Sequence, residues 1–372
     1  MFTVGVIGAG QLARMMTVPA IELGITLKVF AEGENSSAHL AATKVGDYTN
    51  FDELLEFAQQ VDVITFDHEH VPTGLLEKLE EQGVAVRPGP LALIHAQNKL
   101  VMRKRLEQLG LPQPIWQAAT DASEVQTFLD THGPKIVVKT PIGGYDGKGV
   151  RVISEVAEIS DWLADIGSFG GELLLEQKVD FVRELAQLSA RRPSGEFVIW
   201  PVVETRQANS VCSEVLAPAP NADQEKAHWI AETIAVGLDV SGVMAVELFE
   251  TPSGEVLVNE LAMRPHNSGH FSIEGAVTSQ FEQHLRAVLD LPLGSTQLTA
   301  NHAVMINLLG VDSENDFVSR YPKVLAQFPQ VKFHSYEKTA RKGRKMGHLT
   351  LIGDDLESML ETGLAARKAL EA

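Results

Sequence analysis

Over its first ninety residues the chain alternates short apolar segments with amphipathic ones. TVGVIGAG, TLKVFAE, VDVITFD and VAVRPG have the composition of buried strands, and QLARMMTVPAIELG, FDELLEFAQQ and TGLLEKLEEQG between them have helical spacing. Strand and helix in strict alternation build a parallel, doubly wound sheet, because each crossover must return the chain to the same end. Ligands of such sheets sit beyond the carboxyl ends of the strands. A chain of 372 residues has room for more than this one unit.

From residue 96 the texture changes. AQNKLVMRKRLEQLG (96–110) reads as one helix ending at Gly110, with LPQP as a linker. KIVVK and GVRVIS are strands around a glycine-rich loop, followed by the strands ELLLEQKVDF, VRELAQLSARR and EFVIWPVVET. Residues 222–237 and 277–290 read as helices, with two apolar strands on either side of TPSGE between them. LPLGS marks a second boundary, and the tail reads as short strands with one helix. The expected organisation is an α/β unit over 1–95, a central unit over 96–296 with a mobile lid at about 115–178, and a small β-rich module over 297–372.

Charge and composition narrow the function. The net charge of −18 disfavours bulk binding to nucleic acid or to anionic membrane. No apolar run reaches the length of a membrane span, and MFTVGVIGAG lacks the pattern of a signal peptide. A single cysteine, Cys212, rules out an intrachain disulfide. These features give the expectation of a cytoplasmic protein acting on small molecules.

Two glycine-rich turns compete for a nucleotide. Gly8-Ala9-Gly10-Gln11-Leu12-Ala13 fits the dinucleotide fingerprint, and Glu32 ends the second strand where a ribose-binding acid would stand. Taken alone this is a nicotinamide site, although any phosphate would satisfy a glycine turn at a helix N-terminus, and no catalytic partner follows it. The second turn is Gly143-Gly144-Tyr145-Asp146-Gly147-Lys148-Gly149, between two strands and preceded by Lys139. It is not a Walker A loop, since Gly149 and a strand follow Lys148. A glycine-rich flap over phosphates, with Lys139 supplying charge, accounts for it better than an ordinary hairpin.

Further along, GVMAVELFE and EVLVNEL place carboxylates in apolar strands, which is costly without a counter-charge. If Glu250 pairs with Glu255, then Glu247 lies opposite Val258, with Glu260 on the same face along the diagonal. Diagonal neighbours at about 7–8 Å can share one or two magnesium ions; a one-residue slip would bring Asn259 in, and an ion pair with an arginine is the plain alternative. Arg264-Pro265-His266-Asn267-Ser268-Gly269-His270 follows directly. Pro265 and Gly269 oppose a zinc-binding helix, so a loop presenting a guanidinium and an imidazole to an anion fits better. Lys338, Arg341, Lys342, Arg344, Lys345 and His348 form a basic tract in an acidic chain. It is either a solvated loop or a seat for one phosphorylated metabolite.

Together these segments resemble the ATP-grasp superfamily, and within it the N5-carboxyaminoimidazole ribonucleotide synthetases. The resemblance rests on GAGQLARMM (8–16), FDHEHVP (66–72), GGYDGKG (143–149), EQKV (176–179), NELAMRPHNSGH (259–270) and GRKMGH (343–348), in that order and nearly end to end. It implies an ATP-grasp fold of mixed α/β and α+β character, with a doubly wound parallel-sheet domain before it and a β-rich module after it. It implies that ATP, magnesium, bicarbonate and aminoimidazole ribonucleotide are the ligands, that the reaction is an ATP-dependent carboxylation, and that the chain pairs as a homodimer.

Carried over residue by residue, Lys99 and Lys139 reach ATP, and Gly144, Tyr145, Asp146, Gly147, Lys148, Gly149 and Val150 form the mobile loop. Glu176, Gln177, Lys178 and Val179 meet adenine along a strand edge, and Glu184 takes the ribose. Glu247 and Glu260 bind magnesium with Asn259 beside them. Tyr145, Asp146, Arg264, His266, Lys338 and Arg344 face the ribonucleotide and bicarbonate, joined by Gln11, Glu69 and Lys345. The chain departs from the family pattern at Ala9, Ala13, Asp67, Met263 and Gln207, where glycine, glycine, glutamate, proline and histidine are usual. A formate-using transformylase of the same superfamily, a nicotinamide-dependent oxidoreductase and a non-catalytic ATP sensor are the competing readings.

Overall fold

The computed structural model describes residues 1–143, 149–208, 211–310 and 317–371. The N-terminal sheet is parallel throughout, in the spatial order Ala42–Val45, Thr26–Ala31, Thr3–Ile7, Val63–Phe66. The helices Gln11–Glu22, Phe51–Ala58 and Thr73–Glu81 fall within the segments of helical spacing. Two details differ from the sequence reading. Ala42–Val45 is an additional edge strand, and VAVRPG contributes only a single bridge, Ile64 to Val86.

The anticipated helix over 96–110 is two helices, Pro90–Gln97 and Lys99–Gln108. Asn98 separates them with extended backbone, and its side chain accepts the N–H groups of Leu100 and Val101. An asparagine cap of this kind satisfies donors that the helix start would otherwise leave unmade. The new helix begins at Lys99 and buries Arg103 completely.

Residues Trp116–Ala119, Leu173–Gln177, Ile136–Lys139 and Val150–Ile153 make an antiparallel sheet in that spatial order, with its own apolar core around Phe128 and Leu173. A second, nine-stranded antiparallel sheet forms the floor beneath it. Its main path runs Val256–Ala262, Gly242–Glu250, Arg183–Arg191, Val203–Ala208, Val211–Ala217, His302–Leu309, Lys345–Gly353, Lys332–Ser335. The C-terminal strands therefore continue this sheet through the pairing of His302–Leu309 with Val211–Ala217. Two helices, Phe317–Gln327 and Leu356–Glu371, belong to the tail, where the sequence reading placed one.

The helix Gln280–Val288 fastens the first sheet to this floor. Phe281, Leu285 and Val288 pack with Val4, Val6, Leu12 and Met16. On its polar side His284 is fully buried: Nδ1 accepts the N–H of Val243 at 3.0 Å, and Nε2 meets Thr65 Oγ1 at 2.7 Å. That pairing fixes the tautomer, with the proton on Nε2. Burial alone pushes the imidazole down to about 3, so it is neutral in the folded protein. Unfolding lets it protonate at its ordinary value, so its contribution is complete above about pH 6.5 and declines as pH falls toward 3. Denaturant titrations between pH 8 and 4.5 are predicted to give a stability that falls with acid, and His284→Gln to reduce that slope by about 1.4 kcal/mol per pH unit below 6.5. An unchanged slope in the variant would contradict this account.

Candidate active site

A cleft of about 950 Å³ opens between the four-stranded sheet and the floor. Its organising feature is a buried ion triad. Arg103 is fully buried; its Nε and Nη2 lie 2.7 and 2.6 Å from Glu176 Oε1, and Glu176 Oε2 lies 2.9 Å from Lys139 Nζ. The guanidinium also donates to the carbonyls of Val258 and Asn259, each at 2.8 Å. Burial opposes the charge on Glu176, yet Arg103 and Lys139 outweigh it and hold the carboxyl at about 2. The triad thus joins the helix Lys99–Gln108, the strand Ile136–Lys139 and, through Arg103 and Lys139, the floor strand Val256–Ala262.

Both oxygens of Glu176 are committed to this triad, and its backbone is paired on both sides with Trp116 and Val137. Leu173–Gln177 is internal to its sheet, flanked on both sides, and the ladder ends at Gln177. Lys178 and Val179 follow where pairing stops, and both line the cleft. Facing them, Phe181 and Phe249 stack at 4.6 Å with planes 13° apart. Glu184 lies deeper in the same cleft beside Gln207, burial and the charge of Glu247 raising its carboxyl against the hydrogen bond from Gln207.

The floor carboxylates sit differently from the sequence reading. Glu250 pairs with Val256 and Leu248 with Val258, one residue out of the anticipated register. A β-bulge then makes Asn259 the extra residue, and Glu247 lies directly opposite Glu260 rather than on its diagonal. Bulges re-aim side chains beside active sites. Here the bulge leaves Asn259 and Glu260 both lining the cleft, and Lys139 Nζ lies 3.1 Å from Asn259 Oδ1 and 3.8 Å from Glu260 Oε1. The Glu247 and Glu260 side chains are each 38% exposed, enough for a cation entering the cleft to reach them. Burial pushes the Glu247 carboxyl up, but the hydrogen bond and charge of His266, 3.3 Å away, win and hold it below the ordinary range.

Among the described residues no three His, Cys, Asp or Glu side chains gather into a metal site, and the floor offers the carboxylate pair Glu247 and Glu260. That suits a hard cation held by one or two carboxylates, with phosphate and water completing its shell. The donor set of Glu247, Glu260 and Asn259 therefore fits magnesium accompanying a triphosphate.

Opposite the triad, Glu69 receives Arg264 Nε at 2.7 Å and the Met263 N–H at 3.1 Å, tying the first sheet to the loop after Val256–Ala262. Arg264, His266, Glu69 and Lys345 line the cleft with Lys99, Lys139 and Val150. Lys99 donates to the carbonyl of Gly143 at 3.0 Å, and the Thr140 N–H to that of Gly149 at 2.9 Å, so the two ends of the glycine loop are anchored. Gly144, Tyr145, Asp146, Gly147 and Lys148 lie outside the described residues. Gln11, Lys338 and Arg344 stand apart from the cleft lining: Lys338 bonds the Gln11 side chain, and Arg344 donates to the Thr339 carbonyl at 3.0 Å.

The N-terminal glycine turn has a different occupant from a dinucleotide. Asp67 accepts the N–H groups of Gly10 and Ala13, each at 2.8 Å, and so fills the anion position at the start of Gln11–Glu22. A Cβ on Gly10 would stand 2.1 Å from Asp67 Oδ2, which explains the glycine by the carboxylate it must admit. Arg103 and Gln207 are the contributors that the sequence reading left out of the site. Arg103 was legible in principle, four residues after Lys99 and so on the same helical face.

Removing one partner of the triad leaves a buried charge uncompensated. Glu176→Gln is predicted to cost about 3–5 kcal/mol in urea unfolding. A loss below about 1 kcal/mol, the scale of an exposed pair, would contradict the triad's role.

Three family descriptions match consecutive parts of the chain: the ribonucleotide synthetase preATP-grasp domain over residues 1–97, the ATP-grasp domain over 104–281, and the phosphoribosylaminoimidazole carboxylase C-terminal domain over 303–362. An N5-carboxyaminoimidazole ribonucleotide synthase from Corynebacterium ammoniagenes is 46% identical over 365 residues, covering 95% of this chain and 88% of the relative. A synthase of the same name from Synechococcus elongatus is 42% identical over 353 residues, covering 94% and 89%. Among solved structures, the N5-carboxyaminoimidazole ribonucleotide synthetase from Thermus thermophilus superposes with a TM-score of 0.87 at 35% identity, covering 99% of this chain and 98% of that one. The Aspergillus clavatus N5-carboxyaminoimidazole synthase in complex with ADP and 5-aminoimidazole ribonucleotide gives a TM-score of 0.89 at 28% identity, covering 100% and 98%.

Proposed function

The chain belongs to the N5-carboxyaminoimidazole ribonucleotide synthase family of ATP-grasp ligases, and from that premise we propose that it carboxylates 5-aminoimidazole ribonucleotide at the expense of ATP, with bicarbonate as the carbon source, in purine biosynthesis. The observation that carries the reading is the facing pair Glu247/Glu260 beneath Lys139, on the floor of a cleft whose adjoining wall holds Arg264 and His266. Such a pair suits one or two magnesium ions on a triphosphate, and the cationic wall suits an anionic acceptor.

Bicarbonate is a poor electrophile, and phosphorylation by ATP to carboxyphosphate activates it. Magnesium, when bound at Glu247 and Glu260, supplies charge neutralisation on the transferring phosphoryl group. Lys139 and Lys99 stand where they can add to that field, and Asn259 orients Lys139 through its side-chain oxygen. Arg264 and His266 hold the bicarbonate-derived anion against the amine of the ribonucleotide, with Tyr145. As the ribonucleotide amine takes up the carboxyl carbon, the bond from that carbon to the phosphate oxygen breaks, inorganic phosphate departs, and Asp146 accepts the amine proton. The loop of residues 144–150 closes over the reactants, because water would hydrolyse carboxyphosphate. Lys178 and Val179 receive adenine through their backbone, and Glu184 with Gln207 receives the ribose. Gln11, Glu69, Lys338, Arg344 and Lys345 surround the ribonucleotide as the loops close.

The same proposal makes the protein a homodimer of the cytoplasm with no nucleic-acid or membrane partner. No helix among the described residues is long and apolar enough to cross a membrane.

Phosphate release measured while bicarbonate and the ribonucleotide are varied independently is expected to depend on both. Hydrolysis of ATP indifferent to both would overturn the proposal, and a requirement for formate instead would transfer the protein to the transformylase class. Glu260→Gln is expected to lower kcat by about 100-fold or more. Asp146→Asn is expected to lose turnover while retaining ATP binding by calorimetry; full turnover in that variant would remove Asp146 from the mechanism.

A further inference from the structure

The helix Gln280–Val288 carries more buried polarity than its packing requires. Gln280, Gln283 and His284 are all fully buried. Gln283 closes a two-bond ring with the backbone of Gly294, and His284 ties Val243 to Thr65. These two fasten elements of the fold. Gln280 does something else.

Its side-chain oxygen accepts the N–H of His266 at 2.8 Å, and its side-chain nitrogen donates to the carbonyl of the same residue at 2.8 Å and to His270 Nδ1 at 2.9 Å. One amide thus takes both backbone polar groups of His266, as a neighbouring strand would, at a place where no strand continues. The residue is itself held: the Gln280 backbone N–H donates to Ser272 Oγ at 2.9 Å, and that hydroxyl donates to the Gly269 carbonyl at 2.6 Å. A Cβ on Gly269 would stand 2.4 Å from Gln280 Oε1, so the loop closes on this amide as tightly as glycine permits.

The His266 ring is fixed at its other nitrogen by Ser268 Oγ, 2.8 Å from Nδ1, and presents Nε2 to Glu247. With its backbone tied by Gln280 and its Nδ1 by Ser268, the ring is placed with Nε2 against Glu247. We propose that Gln280 is a positioning residue for the reaction, acting through His266 to place its imidazole against Glu247 and the reacting anion. This rests on the carboxylation reading for its kinetic consequence, and on geometry alone for its structural one.

The test uses the full-length protein and two readouts. In free protein labelled with ¹⁵N-histidine, the His266 imidazole nitrogens, assigned by their loss in His266→Ala, are expected to shift in Gln280→Leu; unmoved resonances overturn the proposal whatever the reaction is. In phosphate-release assays, Gln280→Leu is expected to lower kcat by about 10–100-fold, the range for groups that orient a metal-site ligand, with the KM for ATP little changed. That loss is expected to vanish in a His266→Ala background, and Gln280→Glu, which keeps the acceptor for the His266 N–H, to recover part of it. Equal losses in both backgrounds mean that Gln280 supports the fold generally, and the proposal fails. Where Gln280→Leu does not fold, Gln280→Glu replaces it in both readouts, since it loses the donor to the His266 carbonyl and His270. Wild-type protein in the same assay separates the outcomes: if it shows no bicarbonate-dependent turnover, the carboxylation reading fails, and the resonances decide the role of Gln280.

Discussion

The ion triad of Arg103, Glu176 and Lys139 is the interaction on which the site depends. Three charges in a dry interior are costly, and the cost is met only because every one of them is paired and hydrogen-bonded. What the arrangement secures is placement. Lys139 stands at the end of the strand Ile136–Lys139, yet its ammonium is held over Asn259 and Glu260 on the floor. The four-stranded sheet and the floor therefore share a charged contact inside the cleft. A buried apolar cluster could join the same elements, but it could not hold a cation facing an open cleft.

Around that contact, two devices set the geometry of the floor. The bulge at Asn259 turns a diagonal pair of carboxylates into a facing pair. The helix Gln280–Val288 then holds the loop after it, with Gln280 gripping His266 and His284 gripping the floor strand four residues later. An i, i+4 pair lies on one face of a helix, so a single rigid element sets both the loop and the strand that bear the chemistry. Sites carried by rigid elements retain their geometry better than sites carried by loops alone.

The fold class was legible in the sequence, and the devices just described were not, for physical reasons. The N-terminal alternation could be read because buried parallel strands are apolar throughout and the helices between them are amphipathic. Ala42–Val45 escaped because a short edge strand with half its residues exposed has no such signature. The carboxylates were visible as charges in apolar strands, but their register was not, since an extra residue such as Asn259 leaves no mark on the alternation until the partner strand is known. Arg103 was hidden by company: among Lys99, Lys104 and Arg105 it reads as one more solvated cation. Asp67 was read as a departure from a family pattern, whereas the structure gives it a task at the start of Gln11–Glu22.

On the proposed function, a triphosphate is gripped between the glycine loop and the facing carboxylates, with Lys139 as the cation common to both. A crystal structure with magnesium and a non-hydrolysable ATP analogue tests it most directly. The account predicts the terminal phosphate between residues 143–150 and the Glu247/Glu260 pair, with Lys139 Nζ within hydrogen-bonding distance of a phosphate oxygen. A triphosphate seated at the Gly8–Gly10 turn, or anywhere that leaves Glu247 and Glu260 without a shared cation, would contradict it.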